Sequence, residues 1–438
     1  MQTKICVLGL GYIGFPTALM FAKAGFDVIG VDVNEKVIAA IHDGRLHLEE
    51  NGLDVFFQDV RSNHLFQAMN APVNADAFIV AVPTPINEDH TANLSYVVSA
   101  VDTLLPLLSK GNTVIIESTI PPRTVDDIVA PLLQNAGWQV GEDIYLAHCP
   151  ERVLPGKILR ELVENNRIVG GYNAASADKA AALYESFVKG EIVRTTAVSA
   201  EMIKLMENTY RDVNIALANE LAIISSNLGI DALEVIRYAN KHPRVNLHSP
   251  GPGVGGHCIA VDPYFIIEKA PFLTPLMTTA REINNAMPEF VAEQVERIAG
   301  RAPDRTIAVF GVTYKGNVDD IRESPALEVI SLLEMRGFRV KVHDPHVSQE
   351  NAPFPLYSPA DALQGSDCML VLADHNEFKD LNEQLLTRMN RAVIFDTKNC
   401  IRLKSAVPAA LYNYGNLHEA HTAESAEHTK QEIATAME

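Results

Sequence analysis

The sequence predicts an α/β protein in which two doubly wound domains are joined by a central helical domain with one long helix. Short apolar strand patterns alternate with helical stretches at both ends of the chain, as in βαβ units that form a parallel sheet. Between these regions, the segment 199–230 has apolar residues at helical spacing and contains no proline, and no glycine before Gly229.

The first third of the chain contains five strand patterns. Each is mostly apolar and is bounded by turn or helix signals, which is typical of parallel strands covered on both faces. The patterns are KICVLGL (4–10), DVIGVDV (27–33), AFIVAV (77–82), TVIIEST (113–119) and IYLAHC (144–149). Helical stretches such as Thr17–Lys23 and Tyr96–Leu108 separate them.

The rest of the chain is first helical and then alternating again. The long central helix is expected to cover about 28 residues, with further helices at Ala232–Asn240 and Leu276–Gly300. The later strand patterns are TIAVFGV (306–312), RVKVHDP (339–345), CMLVLAD (368–374) and AVIFDTK (392–398). We therefore predict domains at 1–196, 197–300 and 301–415, followed by an acidic, flexible tail at 416–438.

Charge and cysteine content narrow the function. The 438 residues carry a net charge of -19, which argues against nucleic-acid binding as the main task. Five widely spaced cysteines without a CxxC pair indicate neither disulfides nor a metal site. An apolar strand pattern follows Met1 without a basic leader, and no apolar run approaches roughly 20 residues. We expect a cytoplasmic protein without a membrane span.

The run GLGYIG matches GxGxxG and lies where that motif has meaning, between a strand and a helix. Its glycines allow a tight turn, close approach of a pyrophosphate, and close packing of helix on strand. These features predict a Rossmann-like domain. Asp32 ends the second strand and favours NAD over NADP, and the alternative is a strand-end aspartate that caps a helix. The predicted cofactor residues are Gly9, Gly11, Tyr12, Ile13, Gly14, Asp32, Thr84 and Thr119.

The run GPGVGGHC (251–258) places Cys258 at the end of a glycine-rich loop. Such a loop can wrap a ligand and present a side chain to it. Asp262 follows four residues later, so the pattern suggests covalent chemistry. The plainer interpretation is a buried structural cysteine beside a turn.

Polar residues in two other places complete the candidate site. Lys204, Asn208 and Arg211 lie at i, i+4 and i+7, hence on one face of the long helix. A solvated polar stripe would have the same spacing. Glu151 and Arg152 follow the fifth strand, where a carboxylate is suited to orienting a water and a guanidinium to binding a phosphate.

A hydride acceptor combined with a thiol nucleophile has a specific meaning. An alcohol can give a hydride to NAD without help from cysteine. A thiol is needed when the aldehyde is oxidised further, through a thiohemiacetal and then a thioester. Hydrolysis of the thioester needs a base. The residues therefore suggest oxidation of an alcohol to an acid.

Together these residues resemble the UDP-glucose/GDP-mannose dehydrogenase family over roughly residues 1–415. The resemblance rests on GLGYIG, VPTP, EST, CPERVLPG, EMIKLMENTYRDVNIALANEL, GPGVGGHCIAVDP and YKGNVDDIRESPALE. It implies an N-terminal NAD domain, a C-terminal UDP-sugar domain and a homodimer built on the central helix. It also implies that two NAD are reduced per substrate.

The resemblance also implies roles for individual residues. Cys258 would be the nucleophile, Lys204 with Asn208 would stabilise the alkoxide and later oxyanions, and Asp262 would position Lys204 or a water. Glu151 would support thioester hydrolysis, and Arg322 would reach the cofactor. The implied substrate contacts are Arg152, Val153, Lys204, Asn208, Arg211, His242, Arg244, Gly255, Tyr314, Lys315 and Lys398.

The sugar is suggested by a smaller set of residues. CPERVLPG resembles the branch that acts on N-acetylated sugars, whereas the glucose branch carries a second glutamate where Pro155 stands here. The resemblance implies UDP-N-acetyl-D-mannosamine as substrate, with UDP-N-acetylglucosamine as the alternative, and a uronic acid donor for surface polysaccharide as product. UDP-glucose is less favoured.

Two other classes of protein share part of the pattern. A two-electron dehydrogenase of the 6-phosphogluconate or hydroxyisobutyrate type has a Rossmann domain and a helix lysine, but it needs no cysteine and has no second α/β domain. A non-catalytic regulator that binds NAD or a nucleotide sugar would not need Lys204, Asn208, Cys258 and Asp262 together.

Overall fold

The computed structural model describes residues 3–48, 50–154, 156–256, 258–300, 305–404 and 408–420. The described part of the chain forms two compact units. Unit 1 comprises Met1–Glu207 and Tyr264–Leu273, and unit 2 comprises Asn208–Pro263 and Thr274–Glu438. Within the described ranges, no helix is both long and apolar enough to cross a lipid bilayer.

Unit 1 is built on one long sheet. Its strands are β1 (Lys4–Leu8), β2 (Asp27–Val31), β3 (Phe66–Met69), β4 (Ala77–Val80), β5 (Thr113–Ile116), β6 (Tyr145–His148), β7 (Arg167–Gly171) and β8 (Ile192–Thr196). Their order in the sheet is β3-β2-β1-β4-β5-β6-β7-β8. Neighbouring strands are parallel except β6 and β7, which are antiparallel.

Helices cover both faces of this sheet. They are α1 (Gly14–Lys23), α2 (Glu35–His42), α3 (Leu53–Ser62), α4 (Ser95–Leu104), α5 (Ala130–Asn135), α6 (Ile158–Glu164) and α7 (Ala174–Tyr184), with a π-helical turn at Val125–Val129 before α5 and a 3₁₀ turn at Leu105–Leu107 after α4. In β1, Ile5 and Val7 join one apolar core while Cys6 and Leu8 join the other. A strand buried on both faces needs a continuous apolar run, which is why its sequence does not alternate.

A helical segment follows the first sheet. It contains α8 (Ala197–Leu228), α9 (Ala232–Ala239), α10 (Asp262–Lys269) and α11 (Pro275–Ala299), with a 3₁₀ turn at Pro271–Leu273. The predicted long helix is present and runs for 32 residues. Both units include part of this segment, and the predicted domain boundaries at residues 197 and 301 remain predictions.

Unit 2 contains a second parallel sheet. Its elements are β9 (Thr306–Phe310), α12 (Pro325–Met335), β10 (Arg339–His343), α13 (Pro359–Leu363), β11 (Cys368–Val371), α14 (Asn376–Lys379), a 3₁₀ turn at Glu383–Arg388, β12 (Val393–Asp396) and β13 (Ala410–Tyr412). The strand order is β10-β9-β11-β12-β13. The predicted fold class, two Rossmann-like sheets with a helical segment between them in the chain, is confirmed.

The two sheets repeat one local design. The Gly9 N–H donates to the Val31 carbonyl at 2.8 Å, and the Gly311 N–H donates to the His343 carbonyl at 2.9 Å. An aspartate after the second strand of each sheet then accepts from the backbone N–H of the next residue, Leu10 or Val312. The sequences TIAVFGVTYKG and KICVLGLGYIG therefore share a backbone geometry.

The last described residues differ from the predicted tail. Leu417 and Ala420 lie within the predicted tail, yet both are buried in the core of unit 2 beside Tyr414. Their apolar side chains extend the ordered core to the end of the described chain. Residues 421–438, the remainder of the predicted tail, lie outside the described residues.

Candidate active site

The GLGYIG loop forms a cradle between β1 and α1. Gly9 has φ +90°, and a Cβ there would lie 2.4 Å from the Ala81 carbonyl oxygen. A Cβ at Gly14 would lie 1.8 Å from the Gly9 oxygen, whereas no described atom lies within 4 Å of one built at Gly11. Backbone atoms therefore leave no room for a side chain at Gly9 and Gly14. The space beside Gly11 is open, as it must be if a pyrophosphate binds against the loop.

The N-terminus of α1 also suits an anion. Throughout this fully described stretch, the first turn of the helix has no acidic residue and no side-chain cap. The N–H groups of that turn and the helix dipole therefore favour a negatively charged ligand. Tyr12 and Ile13 form the turn that leads into the helix, so the loop fits the diphosphate of NAD.

Asp32 fastens this loop to the end of β2. One oxygen of its carboxylate accepts from the Leu10 N–H at 2.9 Å, and the other accepts from the Asn34 N–H at 2.8 Å. The cap of α2 is Asn34, whose side chain accepts from the Lys36 N–H. Asp32 is thus not the helix cap, and it stays a predicted ribose ligand.

The two predicted threonines meet beyond neighbouring strands. The Thr84 hydroxyl donates to the Thr119 carbonyl at 2.6 Å, and the Ser118 hydroxyl donates to the Val82 carbonyl at 2.7 Å. These bonds tie the segments that follow β4 and β5. They shape the edge of the sheet where ligands bind in open α/β folds.

Arg152 is occupied by protein groups. Its Nε donates to Glu207 on α8 at 2.9 Å, and its Nη1 donates to the Asn166 carbonyl at 3.1 Å. A guanidinium paired with a carboxylate is less available to a phosphate. Arg152 therefore holds the segment after β6 against α8, and Val153 packs in a small apolar cluster with Ile158 and Leu162.

Glu151 lies in a buried ionic cluster, which we call the Arg167 cluster and which consists of Glu117, Cys149, Glu151, Arg167 and Tyr184. Arg167 Nη2 donates to Glu117 Oε1 at 2.7 Å and lies 3.0 Å from Glu151 Oε2. The Tyr184 hydroxyl donates to the same Glu117 oxygen at 2.7 Å. Arg167 Nε lies 3.2 Å from Cys149 Sγ.

Burial dominates the ionisation of this cluster. It raises the pKa of Glu117 to about 7, an effect that the charge of Arg167 opposes and that of Glu151 reinforces. It also raises the pKa of the Cys149 thiol to about 11, so Cys149 is not a thiolate nucleophile at neutral pH. Sequence reasoning selected Glu151 but missed Glu117, Arg167 and Tyr184.

His148 is a second residue that sequence reasoning missed. It is completely buried at the end of β6, and its Nδ1 lies 2.8 Å from the Ile116 carbonyl, so Nδ1 carries the proton. Burial, with a smaller contribution from the positive charge of Lys204 on α8, lowers the pKa of His148 to about 3. The imidazole of His148 is therefore neutral at physiological pH, and it interacts electrostatically with the predicted catalytic lysine.

In unit 2, the turn that carries Cys258 is tied to two predicted partners. The thiol-bearing residue is exposed, and its carbonyl accepts from the Asp262 N–H at 2.8 Å. The buried Asp262 carboxylate accepts from Asn208 Nδ2 at 2.6 Å. The plainer interpretation of Cys258 as a buried structural cysteine is wrong, because its side chain is open to solvent.

The glycine loop before Cys258 packs on the segment after β9. A Cβ at Gly255 would lie 2.3 Å from the Glu323 carbonyl oxygen, and one at Gly256 would lie 2.8 Å from the Tyr314 ring. Lys398 Nζ lies 3.7 Å from the place of a Cβ at Gly251. The structure thus brings Gly255, Tyr314 and Lys398 together around one loop, as a shared ligand requires.

Other predicted substrate residues lie apart from this loop or are exposed. His242 and Arg244 share an exposed turn, where the Arg244 N–H donates to His242 Nδ1 at 3.3 Å. Arg211 is exposed on α8, and Lys315 is exposed after β9. The Arg322 guanidinium donates to Asp320 at 2.7 Å and 2.9 Å. The substrate and cofactor roles of these residues remain predictions.

One group of side chains in unit 2 has the composition of a metal site. The ligand atoms of His346, His375 and Glu377 lie within 4.8 Å of one another. However, His375 already uses both ring nitrogens, accepting from the Asn317 N–H at 2.9 Å and bonding Asp344 at 3.1 Å. A metal would have to displace a buried hydrogen bond, so we assign none there.

Comparison with known proteins decides the family. Three models of the UDP-glucose/GDP-mannose dehydrogenase family match the chain: the NAD binding domain at residues 3–188, the central domain at 198–286 and the UDP binding domain at 308–403. The chain belongs to the UDP-glucose/GDP-mannose dehydrogenase family. The predicted family, and NAD as its cofactor, are confirmed, and the chain is an oxidoreductase.

Individual relatives cover almost the whole chain. A UDP-N-acetyl-D-mannosamine dehydrogenase from Methanocaldococcus jannaschii is 48% identical over 91% of this chain and 92% of its own length. An NDP-N-acetyl-D-galactosaminuronic acid dehydrogenase from Ralstonia solanacearum is 43% identical over 90% of this chain and 95% of its own length. The solved structure of the UDP-N-acetyl-mannosamine dehydrogenase Cap5O from Staphylococcus aureus superposes with TM-score 0.88 at 49% identity, covering 96% of this chain and all of that one.

Proposed function

We propose that this chain oxidises the 6-hydroxyl of UDP-N-acetyl-D-mannosamine to a carboxylate, through a thiohemiacetal and a thioester on Cys258. The observation that carries the proposal is the turn at 258–262, where an exposed thiol is linked through its backbone to the buried Asp262–Asn208 pair. A two-electron dehydrogenase has no use for such a thiol. The named activities of the relatives support the substrate.

The chemistry balances as a four-electron oxidation. One alcohol, two NAD⁺ and one water give one carboxylate, two NADH and three protons. NAD, when bound, supplies the hydride acceptor. Lys204 stabilises the alkoxide and the later oxyanions, with Asn208 as a hydrogen-bond donor. The Cys258 thiolate adds to the aldehyde, and Glu151 takes a proton from the water that cleaves the thioester.

The remaining site residues hold the substrate and the cofactor. Tyr314, Lys315 and Lys398 bind the nucleotide of the UDP-sugar, in the region that the family describes as UDP binding. Gly255, His242 and Arg244 contact the sugar side of the substrate, and Arg322 reaches towards the cofactor. These roles extend the resemblance residue by residue.

The sugar has a second candidate class. The Ralstonia solanacearum relative, which is 43% identical, is named for an N-acetyl-D-galactosaminuronic acid. UDP-N-acetylglucosamine is a further alternative from the sequence. All three sugars carry an N-acetyl group. The mannosamine and galactosamine sugars each differ from the glucosamine sugar in the configuration of one carbon, and from each other in two, so pocket geometry decides between them.

We also propose that the enzyme is a cytoplasmic homodimer. None of the five cysteines, all of them described, forms a disulfide, which supports a reducing compartment. On α8, the exposed apolar residues Tyr210, Leu217 and Ile224 recur every seven positions, and a second copy is the partner that a self-complementary helix face suits. The product would be a uronic acid donor for surface polysaccharide.

A panel of substrates tests the sugar directly. Purified protein is assayed for NADH formation with UDP-N-acetyl-D-mannosamine, UDP-N-acetylglucosamine, UDP-N-acetylgalactosamine and UDP-glucose. We expect kcat/KM for the mannosamine sugar to exceed the others by about tenfold or more, since a buried polar group left unpaired costs about 1–3 kcal/mol. Faster turnover of another sugar would replace the proposed substrate with that sugar.

A further inference from the structure

The Arg167 cluster is charged, buried and built from separate parts of the chain. Glu117 follows β5, Glu151 follows β6, Arg167 begins β7 and Tyr184 ends α7. The solvent-exposed fractions of Glu117, Arg167 and Tyr184 are 2%, 5% and 0%. The Arg167 guanidinium also stacks 4.3 Å above the Tyr184 ring. Burying charged groups costs free energy, and the cluster includes Glu151, the glutamate that we assign to thioester hydrolysis.

The Arg167 cluster contains more acidic side chains than basic ones. Two carboxylates share one guanidinium, through Nη2 contacts of 2.7 Å to Glu117 and 3.0 Å to Glu151. The pKa of Arg167 is raised further above its ordinary value by Glu151 and its other neighbours, so the guanidinium stays charged despite burial. One negative charge is left uncompensated when both carboxylates are ionised. A proton on either carboxylate removes this excess.

We propose that Glu117 is a positioning residue for Glu151, and that it sets, through Arg167, how strong a base Glu151 is in thioester hydrolysis. This inference rests on the proposed function. When Glu117 is ionised, Arg167 divides its charge between two carboxylates, and Glu151 is left more basic. When Glu117 is neutral, Arg167 pairs fully with Glu151 and weakens it as a base.

The step concerned is the last of the reaction. A water oxygen bonds to the thioester carbon while Glu151 takes a proton from that water. The tetrahedral intermediate then collapses, the C–S bond breaks, and Cys258 leaves as a thiolate. The proton on Glu151 passes to the thiolate or to solvent. The carboxylic acid formed loses the second proton of the water to solvent and leaves as a carboxylate. No hydride is transferred in this step, so both NADH have formed before it.

Ionisation of Glu117 gives the step a pH dependence. The groups that face Glu117 are Arg167, Glu151, Tyr184 and Cys149, from β7, the segment after β6, and α7. Because the pKa of Glu117 is about 7, the fraction with this carboxylate ionised rises through neutral pH. Thioester hydrolysis is therefore expected to rise with pH across this range.

The test is Glu117→Gln, studied by rapid mixing of enzyme, NAD and UDP-N-acetyl-D-mannosamine, with intact-protein mass spectrometry. Glutamine keeps the shape and stays neutral. We expect a burst of two NADH per subunit at the wild-type rate, then turnover slower by about tenfold or more. The mass of an acyl group on Cys258 should accumulate, and the pH dependence of hydrolysis near 7 should disappear.

A matched control separates positioning from folding. Glu201 in unit 1 is also a buried glutamate, but it accepts from the Arg123 and Val125 N–H groups instead of contacting the Arg167 cluster. Glu201→Gln should leave burst size and acyl accumulation unchanged, whatever it does to the unfolding temperature. Equal effects of the two substitutions on hydrolysis would overturn the inference.

A second variant covers the case in which Glu117→Gln fails to fold. Tyr184→Phe keeps the ring under Arg167 but removes the hydrogen bond that the hydroxyl donates to Glu117. Because that bond lowers the pKa of Glu117, the pH limb of hydrolysis should move to higher pH. An unmoved limb in this folded variant overturns the inference. If wild-type enzyme itself yields one NADH and no acyl mass, the proposed function fails as well.

Discussion

At the scale of single residues, the glycines of GLGYIG separate folding from ligand binding. A Cβ at Gly14 meets backbone, whereas one at Gly11 meets no described atom within 4 Å. We predict that Gly11→Ala leaves the unfolding temperature within about 2 °C of wild type. It should weaken NAD at least about tenfold, because the methyl group occupies the place of the pyrophosphate.

Calorimetric titration of NAD, paired with thermal unfolding, checks this prediction. Gly14→Ala is the comparison variant, since its Cβ would lie 1.8 Å from the Gly9 oxygen and so should destabilise unit 1. Unchanged NAD affinity in Gly11→Ala would mean that the cofactor does not approach this loop.

The site residues that can be predicted from the sequence are those that lie close together in the chain. GxGxxG, Asp32 and the glycine loop before Cys258 each lie within a short motif, because backbone constraints select glycine at fixed spacings. The Arg167 cluster was not foreseeable in this way. Its hydrogen-bonded partners lie 18, 50 and 67 residues apart in the chain. Only the pairing of β5, β6 and β7 brings them together.

At the scale of elements, α8 combines a structural anchor with catalytic positions. Glu201 in its first turns accepts from the Arg123 N–H at 2.6 Å and the Val125 N–H at 2.9 Å. Arg123 has φ +70°, a strained backbone that these bonds hold in place. Glu201 therefore ties the start of α8 to the segment that follows β5.

Burial of Glu201 gives the stability of this anchor a pH dependence. Burial raises its pKa from 4.5 to about 7, so the folded protein keeps a proton that the unfolded chain loses. The contribution of Glu201 to stability therefore falls as pH rises from 4.5 to 7. Relative to Glu201→Gln, wild type should lose up to about 3 kcal/mol across this window.

Urea unfolding of both proteins at a series of pH values measures this difference. The difference between the two proteins isolates Glu201, because His148 and Glu117 titrate in both and their contributions to the free energy of unfolding cancel. A free-energy difference that stays constant or grows with pH would contradict the burial of an ionisable Glu201.

Strand prediction failed where strands are short or partly exposed. β3, β8 and β13 have polar or half-exposed positions, so they lack the continuous apolar run that identified the central strands. β7 is fully buried but begins with Arg167 and ends in two glycines, a composition that hides a strand. The predicted strands also extended past their observed ends, into the segments that follow them at the carboxyl edge of each sheet.

At the scale of the whole molecule, the proposed dimer would cover an exposed apolar face of α8. The face formed by Tyr210, Leu217 and Ile224 on α8 is exposed by 54%, 48% and 47%. We predict that Leu217→Glu converts a dimer into a monomer in sedimentation velocity, because it places a charge within an apolar interface. Val55→Glu, at a more exposed apolar position on α3 of unit 1, is the control and should leave the dimer intact.

A wild-type protein that sediments as a monomer at micromolar concentration would contradict the dimer.

The two sheets of the molecule are built in a related way. Each sheet places an aspartate after its second strand to hold the first loop, although only the N-terminal loop has the GxGxxG pattern. This difference explains why the sequence motif predicted NAD for one sheet, whereas the UDP-sugar role of the other was implied only by the family resemblance.

The most direct test of the account is the number of NADH formed per molecule of UDP-N-acetyl-D-mannosamine when the sugar is limiting and NAD is in excess. Wild-type enzyme should form two, and Cys258→Ser should lose steady-state turnover because the second hydride needs a thiohemiacetal to leave from. One NADH per sugar, or full turnover by Cys258→Ser, would contradict the four-electron mechanism.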